Sequence, residues 1–224
     1  MNLKEVKAYA LDTPKILVAV PNLGNIRSKL SARFLEWVSN PDYYVRIWTP
    51  EDLIPLDYAR NVIRKYFLEE QFDFLLTIDA DVVPPVNVIT LADLKLDVVA
   101  PVCYILKEEG IIPMALKRVD KGWQVVGDLE ADKIYPVNCA GAGCLMISRK
   151  VLEKVPLFRF IYDEDGMLLY DEGFSWSDEV NKAGFNMFVH SGMICDHYKT
   201  VNLTDLVALQ NRQRTQEKNQ DKEN

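Results

Sequence analysis

Two hydrophobic periods alternate along the first hundred or so residues, and few folds accept that order. Residues 15–21, KILVAVP, form a continuous β-branched run closed by proline, which predicts a strand buried on both faces. Asn22-Leu23-Gly24-Asn25 reads as a turn. Residues 28–38 then place Leu30, Phe34, Leu35 and Val38 at helical spacing. Residues 43–48 alternate as a second strand, and 56–69 put Ala59, Val62, Ile63, Tyr66 and Phe67 on one helical face. A third apolar strand is predicted over 72–78, a short helix over 86–94 and a fourth strand over 98–103. Strands and helices alternating in this way predict an α/β architecture: a mostly parallel sheet with helices on both faces.

The second half changes character. Residues 112–119 and 123–126 read as short strands around the hairpin turn Asp120-Lys121-Gly122. Residues 137–147 are apolar but broken by Gly141-Ala142-Gly143. Ser148 is placed to cap a helix reaching Lys154. An acidic loop occupies 162–172, and a helix over 174–183 stops at Gly184. Residues 185–190 form another strand, and a short one leads into Cys195-Asp196-His197. From Gln210 onward almost no residue is apolar. The chain therefore divides into one domain over 1–205 and a polar tail over 206–224, helical or disordered.

Composition narrows the function. A formal charge of -7 leaves no excess of Lys and Arg for phosphates, so a general nucleic-acid binder is excluded, while one small basic pocket is not. Cys103, Cys139, Cys144 and Cys195 form no C-x-x-C pair and sit in apolar contexts, as buried reduced thiols of a cytoplasmic protein would. The opening MNLKEVKAYALDTPK has no apolar core of a signal peptide. The longest nearly uncharged apolar stretch, 98–106, is too short for a bilayer and contains Pro101. A cytoplasmic location follows, with any membrane association peripheral.

The most informative stretch is FDFLLTIDADVVPP, residues 72–85. In an extended segment Asp79 and Asp81 point the same way. They stand just past the end of a buried strand, where open α/β sheets bind ligands. Two adjacent carboxylates repel unless a cation joins them, and a hard divalent ion with oxygen ligands suits them. Taken alone, D-x-D is equally read as two solvated acids or an Asx turn.

Together with other segments, this one resembles the GT-A glycosyltransferases of the broad family-2 group. The segments are VAVPN (18–22), DYARN (57–61), FLLTIDADVVPP, DVVAPVCY (97–104), AGAGCLMISRKVLEKV (140–155), YDEGFSWSDEVNKAGF (170–185) and CDH (195–197). The resemblance implies a GT-A, Rossmann-like fold: a mixed, mostly parallel central sheet with flanking helices. It implies transfer of a sugar from a nucleotide-diphosphate donor, of UDP or GDP type, to a glycan, lipid or protein hydroxyl. It further implies that Asp79, Ala80 and Asp81 bind the nucleotide sugar, and that Asp79, Asp81 and His197 hold Mn²⁺ or Mg²⁺. Pro21 and Asn22 would sit against the nucleotide. Arg60 and Asn61 would lie near its phosphates, where an arginine fork suits a diphosphate. Gly141, Ala142 and Gly143 would lie by the donor sugar. On residue type alone, His197 is also readable as a strand-end histidine and Arg60 as a helix-surface cation. Trp123 and Trp176 are candidate sugar-stacking faces, and His190 reads as structural.

Transfer with inversion needs a base for the acceptor hydroxyl. The family pattern places a Glu-Asp pair about a dozen residues before the Ala-Gly that ends the helix. Here that position reads Asp171-Glu172-Gly173, so Glu172 falls on the family's Glu and Gly173 on its Asp. Asp171 and Glu172 are the first candidates and Asp178 the third. Two other readings remain at this level. One is a non-catalytic nucleotide-sugar or carbohydrate binding domain. The other is a haloacid-dehalogenase-type phosphohydrolase, whose D-x-D motif belongs on the first strand.

Overall fold

The computed structural model describes residues 13–107, 110–120, 122–204, 206, 207 and 211. The N-terminal residues 1–12, Lys121 of the predicted turn and nearly all of the predicted tail lie outside the described residues.

The elements run in the order β1 (Lys15–Ala19), α1 (Ser28–Val38), β2 (Tyr44–Trp48), α2 (Leu56–Glu69), β3 (Phe74–Ile78), β4 (Val82–Val83), a 3₁₀ segment (Val86–Leu94) and β5 (Val98–Val102). Small strands follow: β6 (Tyr104–Lys107), β7 (Gly110–Pro113), β8 (Ala115–Val119), β9 (Gly122–Val125), β10 (Ile134–Val137) and β11 (Cys139–Ala140). The chain continues through β12 (Cys144–Ser148), α3 (Arg149–Lys154), β13 (Ile161–Tyr162), β14 (Leu168–Tyr170), α4 (Glu172–Lys182), β15 (Met187–Ile194) and β16 (Asp196–His197).

A seven-stranded sheet of order β10-β15-β5-β12-β3-β1-β2 forms the centre. β1 pairs in parallel with β2 and β3, and β15 with β5; β12 runs antiparallel between β3 and β5, and β10 antiparallel at one edge. The sheet is thus mixed and mostly parallel, as expected. Strand alternation sorts the core into two layers. Leu17, Ala19, Leu75 and Ile147 pack with Ile63, Phe67, Val151 and Trp176 on the side of α2, α3 and α4. Ile16, Val18, Leu76 and Met146 pack with Leu30, Trp37 and Ile89 on the side of α1 and the 3₁₀ segment. A three-layer α/β/α sandwich results.

Several local expectations are corrected. On α1 the buried face is Leu30 and Trp37, with Phe34 half-buried, while Leu35 and Val38 are exposed. Trp37 wins that face because its indole N–H also reaches the carbonyl of Val86 at 2.7 Å. The short helix at 86–94 is a 3₁₀ segment closed by Lys95 in the left-handed region. Residues 112–119 belong to two strands, because β7 folds back on β6 in a hairpin before β8 begins. The acidic loop at 162–172 contains a second hairpin, β13–β14. Ser148 stands at the N-cap of α3, but its hydroxyl makes no capping bond. β15 runs on to Ile194, so the two last predicted strands are continuous.

Candidate functional site

A cleft of about 260 Å³ opens at the C-terminal end of β3. Asp79 enters it as β3 ends. Its backbone N–H donates to the carbonyl of Gly143 at 2.9 Å, which ties the first acid to the glycine turn before β12. A Cβ on Gly143 would lie 3.2 Å from Val82 Cγ2 and 3.5 Å from Asp79 Oδ2, so glycine allows this approach.

Asp81 is organised from the other end of the chain. β16 pairs antiparallel with β4, setting His197 opposite Val82, and the Tyr198 N–H donates to the Asp81 carbonyl at 2.9 Å. This brings His197 Nε2 to 3.5 Å and Lys199 Nζ to 2.6 Å from Asp81 Oδ2. His197 Nδ1 donates to the Tyr104 carbonyl at 2.8 Å, so Nε2 is the nitrogen that faces the carboxylate. The hydrogen bond from His197 holds the Asp81 carboxyl well below the usual carboxylate range; Lys199 adds to it, against the effect of burial. Asp81 in turn raises the pKa of His197.

Arg60 joins the first acid to the opposite wall. Its Nε meets Glu172 Oε1 at 2.9 Å, Nη2 meets Asp79 Oδ1 at 2.9 Å, and Nη1 donates to Thr77 Oγ1 at 3.2 Å. The guanidinium is buried, with its side chain 2% exposed, and the Glu172 side chain is 7% exposed. The reading of Arg60 as a helix-surface cation is corrected by this burial, and the donors that a diphosphate fork would use are committed to Asp79, Thr77 and Glu172. A phosphohydrolase reading would need Asp79 unencumbered as nucleophile.

Glu172 and Gly173 begin α4, and Asp171 is its N-cap, accepting from the Phe174 N–H at 2.8 Å. Asp171 is exposed and lines the cleft; Glu172 lines it from a buried position. The structure also explains the missing aspartate at 173. A Cβ there would lie 2.8 Å from the Ala142 Cβ, so any side chain collides with the glycine turn. Gly173→Ala should therefore lower stability by about 1–3 kcal/mol through overpacking, more than the at most about 1 kcal/mol gained by removing a helical glycine. Denaturant unfolding measures this, and an unchanged midpoint would mean that α4 can retreat freely.

Gly141, Ala142 and Gly143 line the cleft, whereas Ala80 and Asp81 are not among its lining residues. Other expected residues lie elsewhere. Pro21 and Asn22 are buried at the end of β1 outside the cleft. The Asn22 amide donates to the carbonyls of Val20 and Pro50, each at 3.3 Å, and its oxygen accepts from Gly24 N–H at 2.9 Å. Asn61 spends both amide atoms on the backbone of Phe158, at 2.9 Å each, pinning the segment after α3. Asp178 pairs with Arg118 and faces a different cavity, so it is not brought to the cleft. Trp176 is fully buried and stacked on Phe158 with centroids 4.6 Å apart, which removes it as a sugar platform. All four cysteines are buried and free, and burial pushes Cys139 up to about 12.

Sequence reasoning missed Lys199, Lys107 and Phe174, which also line the cleft. For Lys199 a signal existed: it stands two residues after His197 in extended chain, hence on the same side.

No protein-family model matches the sequence, and no curated protein matches it. Solved structures do match. A197 from STIV aligns with a TM-score of 0.53 at 21% identity, covering 83% of this chain and 86% of that one. GalNAc-T7, solved with UDP, GalNAc and Mn2+, aligns with a TM-score of 0.51 at 13% identity, covering 85% of this chain and 44% of that one. This chain thus spans less than half the length of that second protein. At such identities the likeness is one of fold. The mixed seven-stranded sheet, with two acids leaving the end of its third strand, has a GT-A-like fold.

Proposed function

We propose that this chain is a metal-dependent glycosyltransferase that moves a sugar from a nucleotide-diphosphate sugar, of UDP or GDP type, to an acceptor hydroxyl. One observation carries the reading: Asp81 holds His197 and Lys199, and both of these line a cleft that Asp171 also lines. A197 and GalNAc-T7 support the fold on which that arrangement sits.

The donor set suits Mn²⁺ or Mg²⁺ held partly by substrate. Among the described residues no group of three or more His, Cys, Asp or Glu side chains is placed to enclose an ion. Asp81 and neutral His197 supply one oxygen and one nitrogen, with the imidazole oriented by the Tyr104 carbonyl. Asp79, one of the expected ligands, is given to Arg60. Cations of this kind commonly take one or two protein ligands and complete their shell with phosphate oxygens and water. Such an ion offsets the charge that develops on the departing diphosphate. Lys199 lies on the same Asp81 oxygen, so cation binding displaces its ammonium. Lys199→Met should then bind Mn²⁺ alone more tightly and UDP or GDP more weakly. The pair is half exposed, so the gain is at most about fivefold. Titration calorimetry checks both halves, and unchanged values for both would remove Lys199 from the site.

We assign the base to Asp171. Its carboxylate is exposed at the cleft, whereas that of Glu172 is tied to Arg60. Asp171→Asn isolates this role, because asparagine caps a helix as well as aspartate does. Transfer should fall about 10²- to 10⁴-fold with stability unchanged. Equal rates for both proteins would exclude Asp171. Among the described residues no helix is long and apolar enough to cross a membrane, and the acceptor is a glycan, lipid or protein hydroxyl.

The deciding experiment incubates the protein with UDP- and GDP-sugars and Mn²⁺ and follows thermal stability and release of nucleoside diphosphate. Stabilisation of about 2.7 kcal/mol is expected at a hundredfold excess over Kd. Binding without release would make the chain a binding domain. Phosphate release from simple phosphomonoesters without nucleotide binding would overturn the reading.

A further inference from the structure

We propose that a second cavity, on the outer side of α4, binds a neutral sugar ring of the acceptor, which makes the acceptor a glycan. This rests on the transferase reading above and narrows its substrate. The cavity has a volume of about 230 Å³ and lies between α4, the β8–β9 hairpin and the β13–β14 hairpin. Phe174 lines both it and the cleft, one helical turn from Asp171. An occupant of the outer cavity is therefore a neighbour of whatever sits against the base.

The lining has two kinds of surface. Trp123, Tyr170 and Phe174 supply rings, and Leu157 and Ile161 extend the apolar base. Phe174 meets Trp123 nearly edge-on, with centroids 5.6 Å apart at 78°, and the Arg118 guanidinium lies 4.8 Å from the indole centroid. The indole is thus fixed before any ligand arrives. Tyr170 is 47% exposed. Around this base runs a charged rim of Arg118, Arg159 and Lys182 set among Asp178 and Glu179. Arg118 pairs with Asp178, and Lys182 sits 3.4 Å from Asp178 and 2.8 Å from Glu179.

That rim decides between ligand classes. Its positive and negative groups are interleaved, so a strongly charged ligand meets attraction and repulsion together. An alkyl chain would cover the ion pairs without offering them hydrogen bonds, which costs desolvation. A pyranose has an apolar C–H face for the rings, and its hydroxyls both donate to carboxylates and accept from guanidinium or ammonium groups. The volume is below the roughly 300 Å³ at which drug-sized pockets begin, so it suits a single sugar ring.

Saturation-transfer NMR and titration with neutral methyl glycosides and disaccharides of glucose, galactose, mannose, N-acetylglucosamine and N-acetylgalactosamine test this. At least one should bind. Tyr170→Ala should weaken that binding about fivefold, and UDP or GDP titration with Mn²⁺ should not change. Trp123→Ala is the second variant, and circular dichroism confirms that each is folded. The proposal is overturned if no saccharide binds, if binding ignores both substitutions, or if only dodecylphosphocholine below its micellar concentration occupies the cavity. Saccharide binding without any nucleotide binding would instead count against the transferase reading and leave this cavity's assignment standing.

Discussion

Arg60→Met will cost the protein on the order of 3–5 kcal/mol of folding stability, because it leaves buried charge without a partner. The wild-type guanidinium holds Asp79 and Glu172 at 2.9 Å each and is itself buried. Methionine fills similar space but leaves the Glu172 carboxylate, 7% exposed, facing an apolar side chain. That penalty exceeds the near-neutral exchange expected when a whole buried ion pair is replaced by apolar groups. The double variant Arg60→Met with Glu172→Gln should therefore recover a large part of the loss, since no uncompensated charge then remains on that wall. Denaturant unfolding of the single and double variants measures both numbers. A single-variant loss below about 1 kcal/mol would mean that Glu172 reaches water, and the account of a buried clasp would fail.

Asp81→Asn should leave the fold nearly intact and remove most of the activity. Asp81 is itself 35% exposed and Lys199 54%, so screening limits the contribution of that pair to within about 1 kcal/mol. The chemistry suffers more. Loss of the carboxylate facing His197 should cut metal-dependent nucleotide release on the order of a hundredfold. The Mn²⁺-dependent part of nucleotide binding should disappear with it. Calorimetry with and without Mn²⁺, beside a turnover assay, tests this. Undiminished Mn²⁺-dependent binding would place the cation elsewhere. The two acids of one short motif thus carry different loads: Asp79→Asn weakens the Arg60 clasp and the fold, while Asp81→Asn weakens the chemistry.

The order of strands and helices was legible because continuous apolar runs such as ILVAV and FLLTI leave little else to fold into. The glycine turn, the D-x-D exit and His197 were legible as motifs, and the structure gathers them around one cleft. The partner of Arg60 was not legible. Glu172 lies 112 positions away in the chain, and no local rule reports such a distance. A trace of it was present: Arg60 stands on the buried stripe with Ile63 and Phe67, at i, i+3 and i+7, where a solvated cation does not belong. The same blindness placed Asn61 at the phosphates, although its amide is satisfied by the backbone of Phe158. Asp178 was misplaced for a different reason. Helical spacing says that it follows Asp171 by about two turns, but the side of α4 it occupies depends on which face Trp176 and Val180 bury.

The ladder between β4 and β16 has a mechanical meaning. Two residue pairs and one backbone bond to Asp81 tether the chain that carries His197 and Lys199. Whatever tugs on the polypeptide just beyond Lys199 acts on that tether, and so on the seat proposed for the cation. Peeling away four residues would disarm the cleft while the seven-stranded sheet stayed whole. The two-residue ladder is thus a latch, and the readiness of the proposed site is set by one of the shortest pairings in the fold.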